Sequence, residues 1–520
     1  MIQKRKFKQI TSIFLFIITL SFQTAFANTG DALSKLQNAD IETIAAQPKY
    51  DSRDYGIVTP VRDQGYTSLC WAYSTANASE TSILRRGIDK NASVGTLSLS
   101  PQQIGYARNN RGADPLGNTQ GEHTSSADNW QNIGGGTKYA AALLSTWCGP
   151  VTSNTAYNAN GWENAAYKLE SAIAVDGKNL NSDSAARDKM KRAVVKYGAV
   201  TFSYNNAREL YYYNPNGESG SSPHACTIIG WDDTIPAENF KPGNTTIDGG
   251  WLVKNSYSSL PYFYLSYEVT CEQIYAFDYA PNDKYDFNYF YDASAADSGY
   301  GSLLRPVRAA NVFEAKGGSD GKNETIRAVS VGTVGENAEC TVEIYTDVPS
   351  GGFNLQNANL AASKTVSLEY GGYNCIELDT PVEVRNGSRF AAVVTVSGAY
   401  ITLSENEGNS YIYRGGWASS PTPRIKVFTK AEENPGYTLE FTDDTHLRVY
   451  AESGTKQLII AKYENDKLSD LYTDSLNFDT NNEYTVPLPL KWKKSESTKY
   501  KAFLWDDFNG MQSECNPTEI

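Results

Sequence analysis

The sequence predicts an α+β domain followed by two all-β domains, and three observations carry that reading. Helix-period segments fall at about residues 70–86, 101–109, 136–147 and 184–197, and β-branched and aromatic runs replace them after residue 198. Beyond about residue 281 helical periodicity almost vanishes, leaving short strands punctuated by Gly, Asn, Ser and Pro. At 520 residues the chain exceeds one ordinary domain, and its length favours about three.

Taken in order, Lys4, Arg5, Lys6 and Lys8 precede a mostly apolar run from Ile10 to Phe22, and Ala25-Phe26-Ala27 has the form of a cleavage site. Residues 1–27 are therefore expected to be a signal peptide, and the mature chain to be secreted, extracellular or cell-surface associated. Residues 28–49, polar and rich in small side chains, form a short leader or propeptide. The first folded domain is expected at 50–281. In it the helical segments precede the strand-like runs Ala199–Tyr204, Ala225–Trp231, Gly250–Asn255 and Tyr262–Tyr267. A β-sandwich is expected at 282–430, with strands such as Arg327–Thr333, Cys340–Thr346 and Arg424–Phe428. The Pro/Gly-containing linker that starts near Lys430 introduces a C-terminal β-sandwich accessory module at 431–520.

The formal net charge of −13 argues against nucleic acid or an anionic membrane surface as the main partner. No stretch after the signal is apolar enough to span a bilayer. Seven cysteines are few and scattered for an exported chain, so no disulfide framework is expected. Cys340 and Cys375 are a conceivable pair, but strand alternation puts them on opposite faces.

Gln64-Gly65-Tyr66-Thr67-Ser68-Leu69-Cys70-Trp71-Ala72-Tyr73 holds the first candidate chemistry. Cys70 opens an apolar, small-residue-rich helix, where the helix dipole favours a thiolate. Gln64, on a Gly-punctuated turn, can donate its amide to an oxyanion beside that sulfur. Read alone, Cys70 fits a buried structural cysteine better than a nucleophile; a nucleophile needs a base. Of three histidines, His123 sits in a polar loop and His446 lies in the C-terminal unit, whereas His224 begins a strand after a Gly/Ser/Pro loop. The next strand ends in Asn255, whose side-chain oxygen can hold one imidazole tautomer without adding charge.

Six phrases in this order resemble the papain-like cysteine peptidases over roughly residues 50–280: Tyr50-Asp-Ser-Arg-Asp, Val58-Thr-Pro-Val-Arg-Asp-Gln-Gly, Cys70-Trp-Ala-Tyr, Leu99-Ser-Pro-Gln-Gln, Pro223-His-Ala and Val253-Lys-Asn-Ser. The resemblance implies a papain-like peptidase domain in which Cys70 is the nucleophile, His224 the acid/base, Asn255 the orienting residue and Gln64 the oxyanion donor. It also implies that Gly135 and Gly136 bind the substrate backbone. His224 and Asn255 follow Cys70 at more than the ~130–150 residues usual for such a site, which implies insertions. Trp147-Cys-Gly-Pro-Val, Gly230-Trp-Asp-Asp and Tyr285-Asp-Phe-Asn-Tyr-Phe-Tyr-Asp look like an exported bacterial and archaeal subgroup with a lectin-like β-sandwich, whose known members include clostridial cell-surface proteases. Residues 282–430 would then be the lectin-like domain.

The sequence departs from the family at four places: Thr67-Ser68-Leu69 before the nucleophile, Tyr257 where Trp is usual, the short leader, and Pro223 before the histidine. None removes a reacting atom. The expected function is cysteine endopeptidase activity on extracellular or cell-surface proteins, without a cofactor and without an assigned metal site. The alternative is an inactive papain-like surface protein that binds carbohydrate or cell wall. Tyr411, Tyr413 and Trp417 could stack on a sugar or serve as packing, and Asp292 and Asp297 could ligate calcium or simply be solvated.

Overall fold

The computed structural model describes residues 31–125, 127–208, 210–292, 297–317, 323–350, 353–405, 408–431, 437–451, 454–478, 483–495, 497–505 and 518–519. The expected signal peptide and Cys515 lie outside the described residues. The chain divides into one unit ending at Ala431 and a second starting at Glu432.

The first unit is built around the helix Cys70–Arg86, in which every residue from Trp71 to Arg85 is buried. A helix with so many hydroxyls can be buried all round because each of the following finds a partner. Ser74 donates to the Cys226 carbonyl, Thr75 to Trp71 O at 2.8 Å and Thr81 to Asn77 O at 2.8 Å, and Ser79 shares a 2.7 Å bond with the Tyr279 hydroxyl. Gly87, at φ +64°, ends the helix, and its amide closes on the carbonyls of Ile83 and Leu84. Helices Pro101–Asn110, Thr137–Ser145 and Ser184–Tyr197 complete the helical layer. The expected helix over 136–147 is shorter because Thr146 caps it and Trp147 turns at φ +63°.

The strands join one extended sheet. Its path runs Phe287–Tyr289, Ile425–Ala431, Glu324–Val334, Gly371–Val384, Tyr167–Val175, Glu272–Pro281, Val200–Asn206, Ser222–Asp232, Gly250–Lys254, Tyr262–Ser266 and Tyr212–Tyr213. The sequence division at 281 is thus bridged: Gly371, Gly372 and Tyr373 pair antiparallel with Ala174, Ile173 and Ala172. Gly372 sits at φ +87°, and a Cβ there would meet the Ala172 carbonyl at 2.2 Å, so only glycine allows this approach. The seam also carries Lys284 and Tyr285 on Glu170 at 2.6 and 2.7 Å, and Lys189 on Glu336 at 2.6 Å.

Beyond the seam a six-stranded sheet, ordered Asn359–Leu368, Ala338–Thr346, Arg389–Ser397, Val307–Glu314, Ser410–Tyr413 and Trp417–Ser419, closes a sandwich. Its core includes Tyr289, Phe313, Val329, Val342, Ile344 and Phe390. The second unit is all-β. One sheet holds Tyr437–Asp443, His446–Ala451 and Glu483–Pro487, and the other Lys467–Asn477, Thr455–Glu464, Thr498–Trp505 and Thr518–Glu519. Leu447, Val449, Leu458, Ile460, Tyr500 and Leu504 form its core.

Part of the leader is described. Residues 31–38 are helical, and a second short helix, Ile41–Ala45, is capped by Asp40. Leu36 and Ala45 are buried, Gln37 donates to the Arg85 carbonyl at 3.0 Å, and Arg85 donates to the Leu36 carbonyl at 3.2 Å. Arg85 lies ~22 Å along the helix from Cys70 at ~1.5 Å per residue, so these leader contacts are remote from the thiol.

Candidate active site

Cys70 is the first residue of the central helix, preceded by Leu69, which makes no side-chain cap. The amides of Ala225 and Trp71 bond its sulfur, as does the His224 ring. Burial raises the Cys70 pKa, but the hydrogen bond and positive charge of His224, with those two amides, bring it below the ordinary thiol value. By contrast, burial pushes Cys148, Cys271 and Cys340 up to about 12. The six described cysteines are all free thiols, Cys340 and Cys375 included.

His224 sits in the strand Ser222–Asp232, opposite Tyr204 of the strand Val200–Asn206. Its Nε2 lies 3.1 Å from Asn255 Oδ1, leaving the other ring nitrogen for Cys70. Burial opposes a charged ring, yet the neighbouring sulfurs of Cys226 and Cys70 outweigh it and raise the His224 pKa well above its usual value. The thiol and imidazole pKa values are thus displaced toward each other's charged state, the condition for a thiolate–imidazolium pair.

Asn255 is fully buried, and its orientation is determined by its neighbours. Its amide nitrogen donates to the Leu260 carbonyl at 3.1 Å, so its oxygen must face the other way. That oxygen accepts from the Ser256 amide at 2.8 Å, and the Cys226 thiol approaches it at 3.5 Å. Tyr257, the departure from the family's Trp, stacks on the imidazole with ring centres 5.6 Å apart and planes 24° apart, and Tyr204 meets it edge-on at 6.0 Å. Two aromatic rings therefore shield the His–Asn bond from water.

Gln64 is buried and held from three directions. Its backbone amide donates to Ser256 O at 2.9 Å, its side-chain oxygen accepts from the Ser256 hydroxyl at 2.6 Å, and one amide hydrogen goes to Thr67 O at 2.7 Å. The side chain is thereby fixed with its NH2 end opposite Ser256. Behind the site lies a buried polar network. Glu80 accepts from Arg62 at 2.6 Å and from the Leu99 amide at 2.7 Å, the Thr59 hydroxyl donates to Glu80, and Lys254 donates to Thr59 at 3.0 Å. Burial holds Lys254 down to about 7.

A pocket of about 160 Å³ opens beside Cys70 and His224, and Gly135 and Gly136 line it. A Cβ on Gly135 would stand 2.4 Å from the Trp71 ring, and one on Gly136 would stand 2.2 Å from the Gln273 side-chain oxygen. Both positions therefore present bare backbone to the cleft. Ser203, Thr270, Glu272 and Gln273 also line this pocket, and sequence reasoning missed all four. Ser203 and Glu272 meet only through strand pairing, which no local pattern announces.

The lectin-like candidates fare differently. Tyr411 stacks on Phe353 at 4.5 Å and Trp417 meets the same ring edge-on at 4.8 Å, which is packing. Asp292 is buried against Lys426 at 2.8 Å and Arg424 at 3.2 Å, so two cations already occupy its carboxylate. The Asp297 side chain lies outside the described residues.

Comparison with known proteins agrees with this architecture. Residues 46–261 match the papain family cysteine protease profile, and residues 289–421 match the lectin like domain profile. Cathepsin K of Mus musculus is 25% identical over 218 residues, covering 40% of this chain and 55% of its own length. Oryzain gamma chain of Oryza sativa subsp. japonica is 27% identical over 234 residues, covering 43% and 55%. The chain thus spans about half the length of these relatives. The clostridial cysteine protease Cwp84 after propeptide cleavage superposes with a TM-score of 0.57 at 21% identity, over 74% of this chain and 99% of its own. The cysteine protease and lectin-like domains of Cwp84, described as a surface layer associated protein of Clostridium difficile, give 0.56 at 21% identity, over 74% and 89%. Among the described residues no helix is long and apolar enough to cross a membrane. The chain carries a papain-family cysteine protease domain joined to a lectin-like domain.

Proposed function

We propose that the chain is a secreted cysteine endopeptidase that hydrolyses peptide bonds of extracellular or cell-surface proteins. The observation that carries this reading is the position of His224, which bonds Cys70 on one side and Asn255 on the other while the two pKa values move toward a charged pair. The N-terminal basic-then-apolar pattern and the surface-layer association of Cwp84 support the location.

In this mechanism the Cys70 thiolate attacks the scissile carbonyl carbon. The developing oxyanion takes hydrogen bonds from the Cys70 backbone amide and from the second amide hydrogen of Gln64. As the tetrahedral intermediate collapses, the C–N bond breaks and His224 gives its proton to the leaving amine. Water, deprotonated by the now neutral His224, attacks the thioester, releasing the acid and regenerating the thiolate–imidazolium pair. Gly135 and Gly136 present backbone groups for the substrate strand.

The test is the Cys70→Ala protein against wild type under reducing conditions. The substitution is expected to abolish both peptide hydrolysis and labelling by an epoxide thiol inhibitor without changing the melting temperature. Labelling that persists on another cysteine would sink the assignment. Wild-type protein that turns over no peptide but binds a glycan would favour the non-enzymatic alternative.

A further inference from the structure

A cavity of about 520 Å³ lies between the papain-like domain and the β-sandwich, within the first unit. It adjoins the active-site pocket along two elements. On the helix Thr137–Ser145 the small pocket ends at Gly136 and the large cavity starts at Lys138; on the strand Glu272–Pro281 the small pocket ends at Gln273 and the cavity starts at Tyr275. The two walls touch where the Lys138 amide faces the Gln273 side-chain oxygen at 3.5 Å. Two strand residues span ~7 Å, the reach of about two residues of extended peptide at ~3.3–3.6 Å each.

The chemistry of the walls describes the occupant. Ala141, Ala142 and Val175 come from the papain-like side and Leu303, Val334 and Tyr400 from the sandwich. Leu303 is 59% exposed and Val334 57% exposed, so apolar side chains from the second domain stand open on this cavity. Lys138, Lys178 and Arg424 line the cavity together with Asp176 and Glu336; Arg424 is buried on Asp292 at 3.2 Å, and Glu336 is engaged by Lys189 at 2.6 Å and by the Asp176 amide at 3.1 Å. An uncharged, apolar occupant fits such a lining, and the volume falls within the usual range of ligand sites.

We infer that this cavity extends the substrate cleft and holds apolar side chains at the fourth and fifth substrate residues before the scissile bond. The inference rests on the peptidase reading and deepens it. The sandwich becomes part of substrate selection, which favours extended polypeptide segments with aliphatic or aromatic residues ahead of the cleavage point.

The experiment uses the full chain and two fluorogenic substrates that share the two residues before the scissile bond and the leaving group. One is a dipeptide; the other is a hexapeptide with leucine and phenylalanine at the fourth and fifth positions. The readout is the ratio of kcat/KM, hexapeptide over dipeptide, which cancels general damage to the enzyme. Wild type is expected to favour the hexapeptide by at least about tenfold, and Leu303→Asp with Val334→Asp to remove that preference. Leu304→Asp, at a 94% exposed neighbour outside the cavity, is expected to retain it. A ratio unmoved by the double substitution, or moved equally by Leu304→Asp, overturns the inference and leaves the cavity to another occupant such as a glycan. Wild type that cleaves neither substrate overturns the peptidase reading itself.

Discussion

The pH profile of Asn255→Ala bears most directly on how the site works. His224 must be protonated to pair with the thiolate and to protonate the leaving amine, so activity is present below the His224 pKa and lost as pH rises through it. In wild type that pKa stands well above the usual imidazole value, and Asn255 is the fixed acceptor on Nε2 at 3.1 Å. A hydrogen bond to a charged group contributes ~1.5–3 kcal/mol against ~1 kcal/mol for a neutral one. Losing the acceptor therefore disfavours the imidazolium by ~1 kcal/mol, or roughly one pK unit. The alkaline limb of kcat/KM is expected to move down by about one unit. Activity at the optimum is expected to fall roughly ten- to hundredfold as the ring loses its orientation. The assay is kcat/KM between pH 5 and 10 on a dipeptidyl substrate, normalised by active-site titration, with a thermal melt to verify folding. An alkaline limb that stays in place, or moves up, would refute the role given to Asn255.

Two further predictions follow from buried groups. Gln64→Ala removes one oxyanion donor while Ser256 keeps its backbone bond to Gln64, so kcat is expected to drop by ~10²–10³ with little change in KM, measured by steady-state kinetics. Lys254, held down to about 7, sheds its proton in the folded state before the unfolded chain does at ~10.4, so the unfolded chain binds more protons across that window. Stability is therefore expected to rise with pH from about 7 upward, and Lys254→Met to flatten that rise in urea melts at pH 7 and 9.

Much of this was legible because the informative residues are local. The four helices of the papain-like domain are written in contiguous periodic segments, and the site residues lie near element ends: Cys70 opens its helix, His224 is the third residue of the strand Ser222–Asp232 rather than its first, and Asn255 follows the strand Gly250–Lys254 rather than ending it. The strand Tyr167–Val175 was not legible. Its burial does not alternate, and a bulge between Leu169 and Ser171 breaks its register. Tyr257 could be seen only as a departure, because stacking on His224 depends on the turn after Asn255 rather than on spacing. The sugar reading of Tyr411 and Trp417 was open because an aromatic cluster looks the same in sequence whether it faces a ligand or Phe353.

The seam at Gly371–Tyr373 changes what a domain boundary means here. Because Tyr167–Val175 is a shared strand, expressing residues up to 281 alone would strip it of a neighbour and turn its last residues into a sheet edge, open to pairing with other chains. The papain-like part is therefore not a freestanding catalytic core with a detachable module. The sandwich is fixed to the papain-like domain through shared backbone pairing, so the relative placement of the two is set when the chain folds.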